Sequence, residues 1–203
     1  MKFCLALNSY ILFYNSRCER IERFIIRIRG KCCGKGLVKI YFGEGKGKST
    51  SSMGRALVCA GEEKEVFVIQ FLKGKMTGSL DYLKRLEPEI KVFRFEREEA
   101  FYEDLSDEEK QEEKVNILNG YNFAKKVLSI GECDVLILDE ILGLVDLGII
   151  TCEDVIRLID MKDESVELIM TGRHLPEELI PYADYISRLD IVKGACSEKP
   201  SCM

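Results

Sequence analysis

Phe42-Gly43-Glu44-Gly45-Lys46-Gly47-Lys48-Ser49-Thr50 decides how the rest of this 203-residue chain is read. Apolar or β-branched residues lead into it (Leu37, Val38, Ile40, Tyr41). A helical pattern leaves it, with Met53, Ala56, Leu57 and Ala60 on one face at spacings of three and four. Strand, glycine loop, helix is the order that a phosphate-binding loop requires. Glycines let successive backbone N–H groups turn inward around an anion, and the helix N-terminus adds a favourable dipole. In such a loop Lys48 reaches the outer phosphates, and the Ser49 hydroxyl stands where Mg²⁺ is coordinated. The generic pattern G-x-x-x-x-G-K-[ST] would begin at Phe42; the glycine stands one place later, at Gly43. A purely structural glycine turn is the alternative, but Gly-Lys-Ser at a helix start after a buried strand points to phosphate.

The second informative stretch is Asp134-Val135-Leu136-Ile137-Leu138-Asp139-Glu140. An apolar strand ending in a carboxylate pair, downstream of a phosphate loop, is the Walker B pattern, in which the Asp completes a Mg²⁺ site. Asp139 is equally able to cap a following helix.

Between and beyond these stretches, strands and helices alternate. Residues 66–71 form a nearly continuous apolar run, as in a strand buried on both faces of a parallel sheet. Lys73 and Lys75 belong to a basic loop, 73–78, at the carboxyl edge where open α/β sheets bind ligands; plain solvation is the competing reading. A short helix is predicted over 79–86 with Ser79 as cap, and a strand over 90–95. Residues 96–114 hold ten Asp/Glu against three Lys/Arg, so most of that segment faces water. Within it Ser106 and Glu109 form a capping-box signature for a helix running through Leu128. Phe101 and Tyr102 precede that helix, where they either flank a ligand or cover the core edge. A further helix opens at Thr151 or Glu153, and a strand over 166–170 ends in Thr171-Gly172-Arg173-His174. The planar fork of Arg173 suits phosphate, whereas His174 reads as a loop residue. A short helix over 176–179, a last strand over 185–192 and a loose tail complete the chain, with no internal repeat. The alternation predicts an α/β sandwich with a largely parallel sheet.

Composition narrows the function. At 46% hydrophobic and 32% charged, the chain has the make-up of a soluble domain large enough to bury a core. The net charge is −5, but residues 1–36 carry +6, leaving −11 on the remainder. An acidic body argues against nucleic acid as the main partner. Residues 3–14 are apolar yet too short to span a membrane, and they make a poor signal peptide. Arg17, Arg20, Arg23, Arg27 and Arg29, interleaved with Ile21, Phe24, Ile25 and Ile28, predict an amphipathic helix on the domain or on a membrane surface, unless the biological start lies near Gly36. The nine cysteines include no C-x-x-C pair. Cys4, Cys18, Cys32, Cys33, Cys196 and Cys202 lie near the termini, while Cys59, Cys133 and Cys152 fall among core positions. Reduced thiols and a cytoplasmic location are the expectation.

From Gly36 to Lys193 the chain resembles the P-loop type of cob(I)alamin (corrinoid) adenosyltransferase. The resemblance rests on several segments together: the Gly43–Thr50 loop, Gln70-Phe71-Leu72-Lys73-Gly74, Leu138-Asp139-Glu140, Thr171-Gly172-Arg173 and Ala183-Asp184-Tyr185. It accounts for the shortened glycine spacing. It implies a three-layer, P-loop NTPase-like (RecA-like) sandwich over 37–193, with residues 1–36 an extension and 194–203 a tail. It further implies transfer of the 5′-deoxyadenosyl group of ATP to the Co(I) of a reduced corrinoid, with release of triphosphate. By position, Gly43, Glu44, Gly45, Lys46, Gly47, Lys48, Ser49, Thr50 and Arg173 would bind ATP. Lys48, Asp139 and Glu140 would be catalytic, and Ser49, Asp139 and Glu140 would hold Mg²⁺. Phe101 and Tyr102 are the corrinoid-side candidates. A reducing flavoprotein and a homodimer are partners the resemblance suggests, although no pattern in the chain demands a dimer. The chain departs from the family at Ser49-Thr50-Ser51-Ser52, where Thr-Thr-Ala-Ala is usual, and at Val58, where a basic residue is common. It also lacks a Gly-Phe-Thr-Trp aromatic loop and the usual tail.

Two other readings share the loop. A P-loop small-molecule kinase would also use an Asp-Glu pair, but a thymidine-kinase-like chain would carry paired C-x-x-C ligands. A nucleotide-binding protein without adenosyl transfer would bind ATP and yield no product; a GTPase version would need N-K-x-D, which is absent.

Overall fold

The computed structural model describes residues 36–73, 84–95 and 102–193. The chain divides into two units, Met1–Gly34 and Lys35–Met203, and the described residues belong to the second. The readings made of the arginine-rich segment, the six terminal cysteines, the Ser79 cap, Phe101 and the tail lie outside the described residues.

Apolar runs flanked by turn residues become the six strands described: β1 (Val38–Phe42), β2 (Val66–Gln70), β3 (Ile90–Arg94), β4 (Val135–Asp139), β5 (Glu167–Gly172) and β6 (Tyr185–Arg188). They form one sheet in the order β3-β2-β4-β5-β1-β6, and every adjacent pair is parallel. The helices are α1 (Lys48–Gly61), α2 (Asp107–Ile130), α3 (Ile141–Asp146) and α4 (Cys152–Met161), with single 3₁₀ turns at Lys84–Leu86, Tyr102–Asp104 and Glu177–Tyr182.

Alternate residues of β1 to β5 serve opposite layers. Val38, Ile40, Phe67, Ile69, Leu136, Leu138, Leu168 and Met170 pack with α2, α3 and α4. Val66, Val68, Ile90, Val135, Ile137 and Ile169 pack with Ala56 and Cys59 of α1. Helices on both sides leave every residue of β2, β4 and β5 buried, which is why those strands read as continuous apolar runs. This is the α/β sandwich with a parallel central sheet that the alternation predicts, in the three-layer form that the resemblance implies.

Helix ends follow the local chemistry. Ser106 Oγ accepts from Glu109 N at 3.3 Å and Glu109 Oε2 accepts from Ser106 N at 2.8 Å, closing the expected capping box. Thr151, of the two residues read as openers, caps α4 through the same exchange with Asp154. Other expectations are corrected. The inward face of α1 is Ser52, Ala56 and Cys59, while Leu57 is exposed. A residue directly after Ala56 is turned about 100° round the helix, and the sheet accepts only a narrow stripe of small side chains. Of the helix read over 79–86 only Lys84–Leu86 is described, as one 3₁₀ turn, and the rest lies outside the described residues. The last strand stops at Arg188, short of 192. Helix α3 follows directly after the Asp139-Glu140 pair, where a capped helix was one of the readings. Cys59 and Cys133 are buried and Cys152 half-buried, all as free thiols.

One ion cluster ties α1 to the sheet. Glu167 of β5 accepts from Lys39 Nζ at 2.8 Å, from Arg55 Nε at 2.9 Å and from Arg55 Nη2 at 2.7 Å. Burial pushes the Glu167 carboxyl up, but the bonds from Arg55 and Lys39 outweigh it and hold it below its ordinary range. A depressed carboxyl contributes stability above its unfolded-state pKa and loses it as pH falls through the folded value. Glu167→Gln, which strands both cations, is expected to lower stability by about 2 kcal/mol at neutral pH. Urea melts check this: the gap to wild type should close as the pH is taken down through the acid range.

Candidate active site

The site forms where β1, β4 and β5 end at the carboxyl edge of the sheet. Gly43 leaves β1 with φ +119°, and its N–H donates to the Arg173 carbonyl at 3.0 Å. A Cβ at Gly43 would stand 2.3 Å from the Leu189 carbonyl oxygen, so only glycine lets the loop pass β6 this closely. Gly45 N donates to that same Leu189 carbonyl at 2.7 Å. Gly47, at φ +112°, opens α1 without a side-chain cap, the arrangement that leaves a helix N-terminus to an anion. Lys48 Nζ donates to the carbonyls of Gly43 at 2.6 Å and Gly45 at 2.9 Å, drawing the loop round its own ammonium.

Asp139 ends β4 and is 1% exposed. Its Oδ1 accepts from Ser49 Oγ at 2.9 Å and Thr171 Oγ1 at 2.7 Å. Its Oδ2 accepts from Gln70 Nε2 at 3.2 Å and from the Lys73 ammonium. Lys73 Nζ also donates to Ser49 Oγ at 2.8 Å, and Arg94 Nε holds Gln70 Oε1 at 2.8 Å. Burial pushes Asp139 up; the Lys73 charge, and the bonds from Lys73, Thr171 and Ser49, overcome that and keep it ionised below the usual range.

The strand order makes this possible. β5 lies between β1 and β4, so Thr171 stands between the loop and the carboxylate. Its hydroxyl donates to Asp139 while accepting from Glu140 N at 2.8 Å. Two non-glycine residues flank the cluster in left-handed backbone, Leu72 at φ +55° and Glu140 at φ +65°. Such a conformation costs a side-chain-bearing residue roughly 1–2 kcal/mol, strain that tends to gather at functional sites. Glu140, not Asp139, occupies the N-cap position of α3, and it makes no side-chain capping bond there. The reading of Asp139 as a helix cap is thereby corrected: its carboxylate is fully engaged by the four donors just described.

Glu140 behaves oppositely to Asp139. Burial and then the Asp139 charge lift its carboxyl above the ordinary range, against the pull of Lys48, Lys73 and Arg173. A raised carboxyl stabilises the fold below its unfolded-state pKa, and that contribution is lost as pH rises through the folded value. Glu140→Gln is therefore expected to melt above wild type at neutral pH, with the gap closing in acid. A melting series across the pH range, showing wild type more stable at pH 7, would contradict this.

The remaining site residues are spread along the same edge. Glu44, Lys46 and Thr50 are exposed on the loop and first turn. Arg173 follows β5, where its carbonyl receives Gly43. His174 lies between two acids, with Nδ1 3.0 Å from Asp146 Oδ2 and Nε2 3.5 Å from Glu44 Oε1. Tyr102 is half-buried against the core in the turn before α2. Lys73, Gln70 and Thr171 are the members that reading the sequence missed. Gln70 and Thr171 did carry a signal, since each is a polar residue inside or ending an apolar run where burial demands a partner. Lys73 was read only as a basic-loop residue at the sheet edge and as part of the Gln70–Gly74 segment of the resemblance, without a role in the site.

Among the described residues no group of three or more His, Cys, Asp or Glu could hold a metal alone. Ser49 Oγ and Asp139 Oδ1, with the Glu140 carboxyl adjacent in sequence, are hard oxygens of the kind Mg²⁺ takes when substrate phosphates supply its other ligands. That donor set fits Mg²⁺.

A glycine loop between β1 and α1, facing a buried aspartate two strands away, defines the class: a P-loop nucleotide-binding α/β protein. The family follows from comparison with known sequences. The model of the ATP:corrinoid adenosyltransferase BtuR/CobO/CobP family matches residues 34–201, and the chain belongs to that family of enzymes. The corrinoid adenosyltransferase of Escherichia coli (strain K12) is 28% identical over 184 residues, spanning 90% of this chain and 91% of that protein. Corrinoid adenosyltransferase CobA of Salmonella typhimurium is 26% identical over 183 residues, again 90% and 91%. The corrinoid adenosyltransferase of Pseudomonas aeruginosa is 25% identical over 162 residues, covering 79% and 78%. No helix among the described residues is long and apolar enough to cross a membrane.

Proposed function

We propose that this enzyme transfers the 5′-deoxyadenosyl group of ATP to the Co(I) centre of a reduced corrinoid and releases inorganic triphosphate. The observation that carries the reading is the convergence of the Lys48 loop and the Ser49–Asp139 pair at one sheet edge, in a chain of this family. Co(I) supplies an electron pair to the ribose C5′, the C5′–O bond breaks, and the triphosphate leaves with the bonding electrons. The nucleophile is the substrate's cobalt, so the protein needs neither a nucleophilic side chain nor a strong base. Its tasks are to orient the two substrates, exclude water and stabilise charge on the leaving group. Lys48 and the N–H groups of the first turn of α1 perform the last of these. Ser49 and Asp139, with Glu140, would hold Mg²⁺, which when bound neutralises part of the triphosphate charge. Arg173 adds a cation at the same edge. Phe101 and Tyr102 are assigned to the corrinoid side, and a reducing flavoprotein and a second copy of the chain are the proposed partners, in the cytoplasm.

An anaerobic assay with ATP, Mg²⁺ and chemically reduced cob(I)alamin tests the reading. Loss of the Co(I) spectrum should accompany equal amounts of adenosylcobalamin and triphosphate. ADP as the nucleotide product, without a new cobalt–carbon bond, would overturn it in favour of a kinase.

A further inference from the structure

The Lys73 ammonium, delivered by the segment that follows β2, sits on the acidic side of the site, apart from the glycine loop. It donates to both Ser49 Oγ and Asp139 Oδ2, two of the groups assigned to Mg²⁺. It covers them from the solvent side: its side chain is 28% exposed, against 1% for Asp139. The backbone that delivers it is held in place. Leu72 turns the chain at φ +55°, and a Cβ on Gly143 of α3 would come within 2.7 Å of Leu72 Cδ1, so the turn rests on α3. Beyond that contact the lysine stem is four carbons long and flexible. The loop cation, Lys48, is meanwhile engaged by the Gly43 and Gly45 carbonyls.

We propose that Lys73 is an exchange cation. It neutralises Asp139 and holds Ser49 against it while the nucleotide is absent, and it passes to the polyphosphate when Mg·ATP enters. The inference rests on the adenosyl-transfer reading only in taking Ser49 and Asp139 as the Mg²⁺ side of the site. An ammonium and a divalent ion repel each other across one carboxylate. Lys73 thus keeps divalent ions out of the empty site, and the phosphates that arrive with the metal give the lysine somewhere to go. It is a positioning residue, acting through Ser49 and Asp139 before it meets substrate.

The test uses the full chain without corrinoid. Mn²⁺, visible by electron paramagnetic resonance, is titrated into nucleotide-free wild type, Lys73→Met, Lys73→Gln and Lys73→Arg, with thermal melts in parallel. Removing the competing charge should tighten Mn²⁺ binding by about tenfold or more in the Met and Gln variants. Both should also be stabilised by Mn²⁺, a gain that wild type and Lys73→Arg lack. ATP binding in EDTA should weaken by about tenfold in the same two variants, as expected when a charge-assisted contact to phosphate is lost. Lys73→Gln keeps a hydrogen-bond donor, so a lysine serving only to fill and bond Asp139 would leave the Gln variant like wild type, and that result would overturn the proposal. Equal Mn²⁺ affinity in all four proteins would overturn it as well. Wild type that fails to alkylate cobalt would sink the proposed reaction, not the cation exchange, because no step of this test uses corrinoid.

Discussion

Lys48→Ala should lower adenosyl transfer by about a thousandfold, the scale on which removing a preorganised charge donor acts, and leave the chain folded. Two considerations separate these effects. In the proposed reaction the leaving triphosphate gains negative charge as the C5′–O bond breaks, and the loop that would hold it is drawn together by one ammonium, bonded to Gly43 and Gly45. Stability depends on Lys48 far less, because those carbonyls can turn to water once the side chain is gone. The loss should not exceed about 1 kcal/mol, the net worth of an ordinary hydrogen bond. Lys48→Arg should not rescue the rate, since a planar guanidinium does not fit a pocket formed by two carbonyls around a compact ammonium. Anaerobic rates and a thermal melt on each variant measure both quantities. A near wild-type rate in Lys48→Ala would remove the phosphate-loop assignment itself.

Asp139→Asn is expected to damage both rate and stability. Four donors converge on this carboxylate, from Ser49, Thr171, Gln70 and Lys73. An amide of the same shape offers one acceptor oxygen and turns an NH₂ towards two of the donors. One buried donor left facing another costs on the order of 1–3 kcal/mol, and the Lys73 charge loses its partner as well. Asp139 is depressed in the folded state, so the stability it supplies is present above the ordinary aspartate pKa and disappears as pH falls through the folded value. The Asn deficit should therefore be full at neutral pH and vanish in strong acid. The rate should fall at least about a hundredfold, as for loss of an electrostatic contact made to the reacting group, and far more Mg²⁺ should be needed to reach its maximum. Urea melts across pH and rate titrations with Mg²⁺ read the two effects separately. A variant with wild-type Mg²⁺ dependence would take Asp139 out of the metal site.

Much of this protein is written locally. The glycine loop is legible because only glycine tolerates the φ of Gly43 and Gly47 and the approach to Leu189, and because lysine and serine must follow at once. β2, β4 and β5 are legible because strands covered on both faces cannot alternate. Ser106 and Glu109 announce α2 because a cap is a contact between residues three apart. The acidic Asp139-Glu140 end of β4 is legible for its place behind an apolar run.

Tertiary structure decided the rest, since it depends on pairings between residues far apart in the chain. Nothing local says that β5 enters between β1 and β4, yet that insertion puts Thr171 on Asp139 and the loop within reach of both. Nothing local says that Arg55 and Lys39 meet at Glu167, or that α1 turns Ala56 inward and Leu57 outward. The clearest case is Lys73. In the sequence it is one of two lysines in a loop with glycines; in the fold, the left-handed turn at Leu72 brings its ammonium onto the carboxylate 66 residues further on. Local sequence specified the loop lysine, the serine after it and the acidic end of β4. The packing of a parallel sheet, which sets strands of distant sequence side by side, determined which of those groups touch.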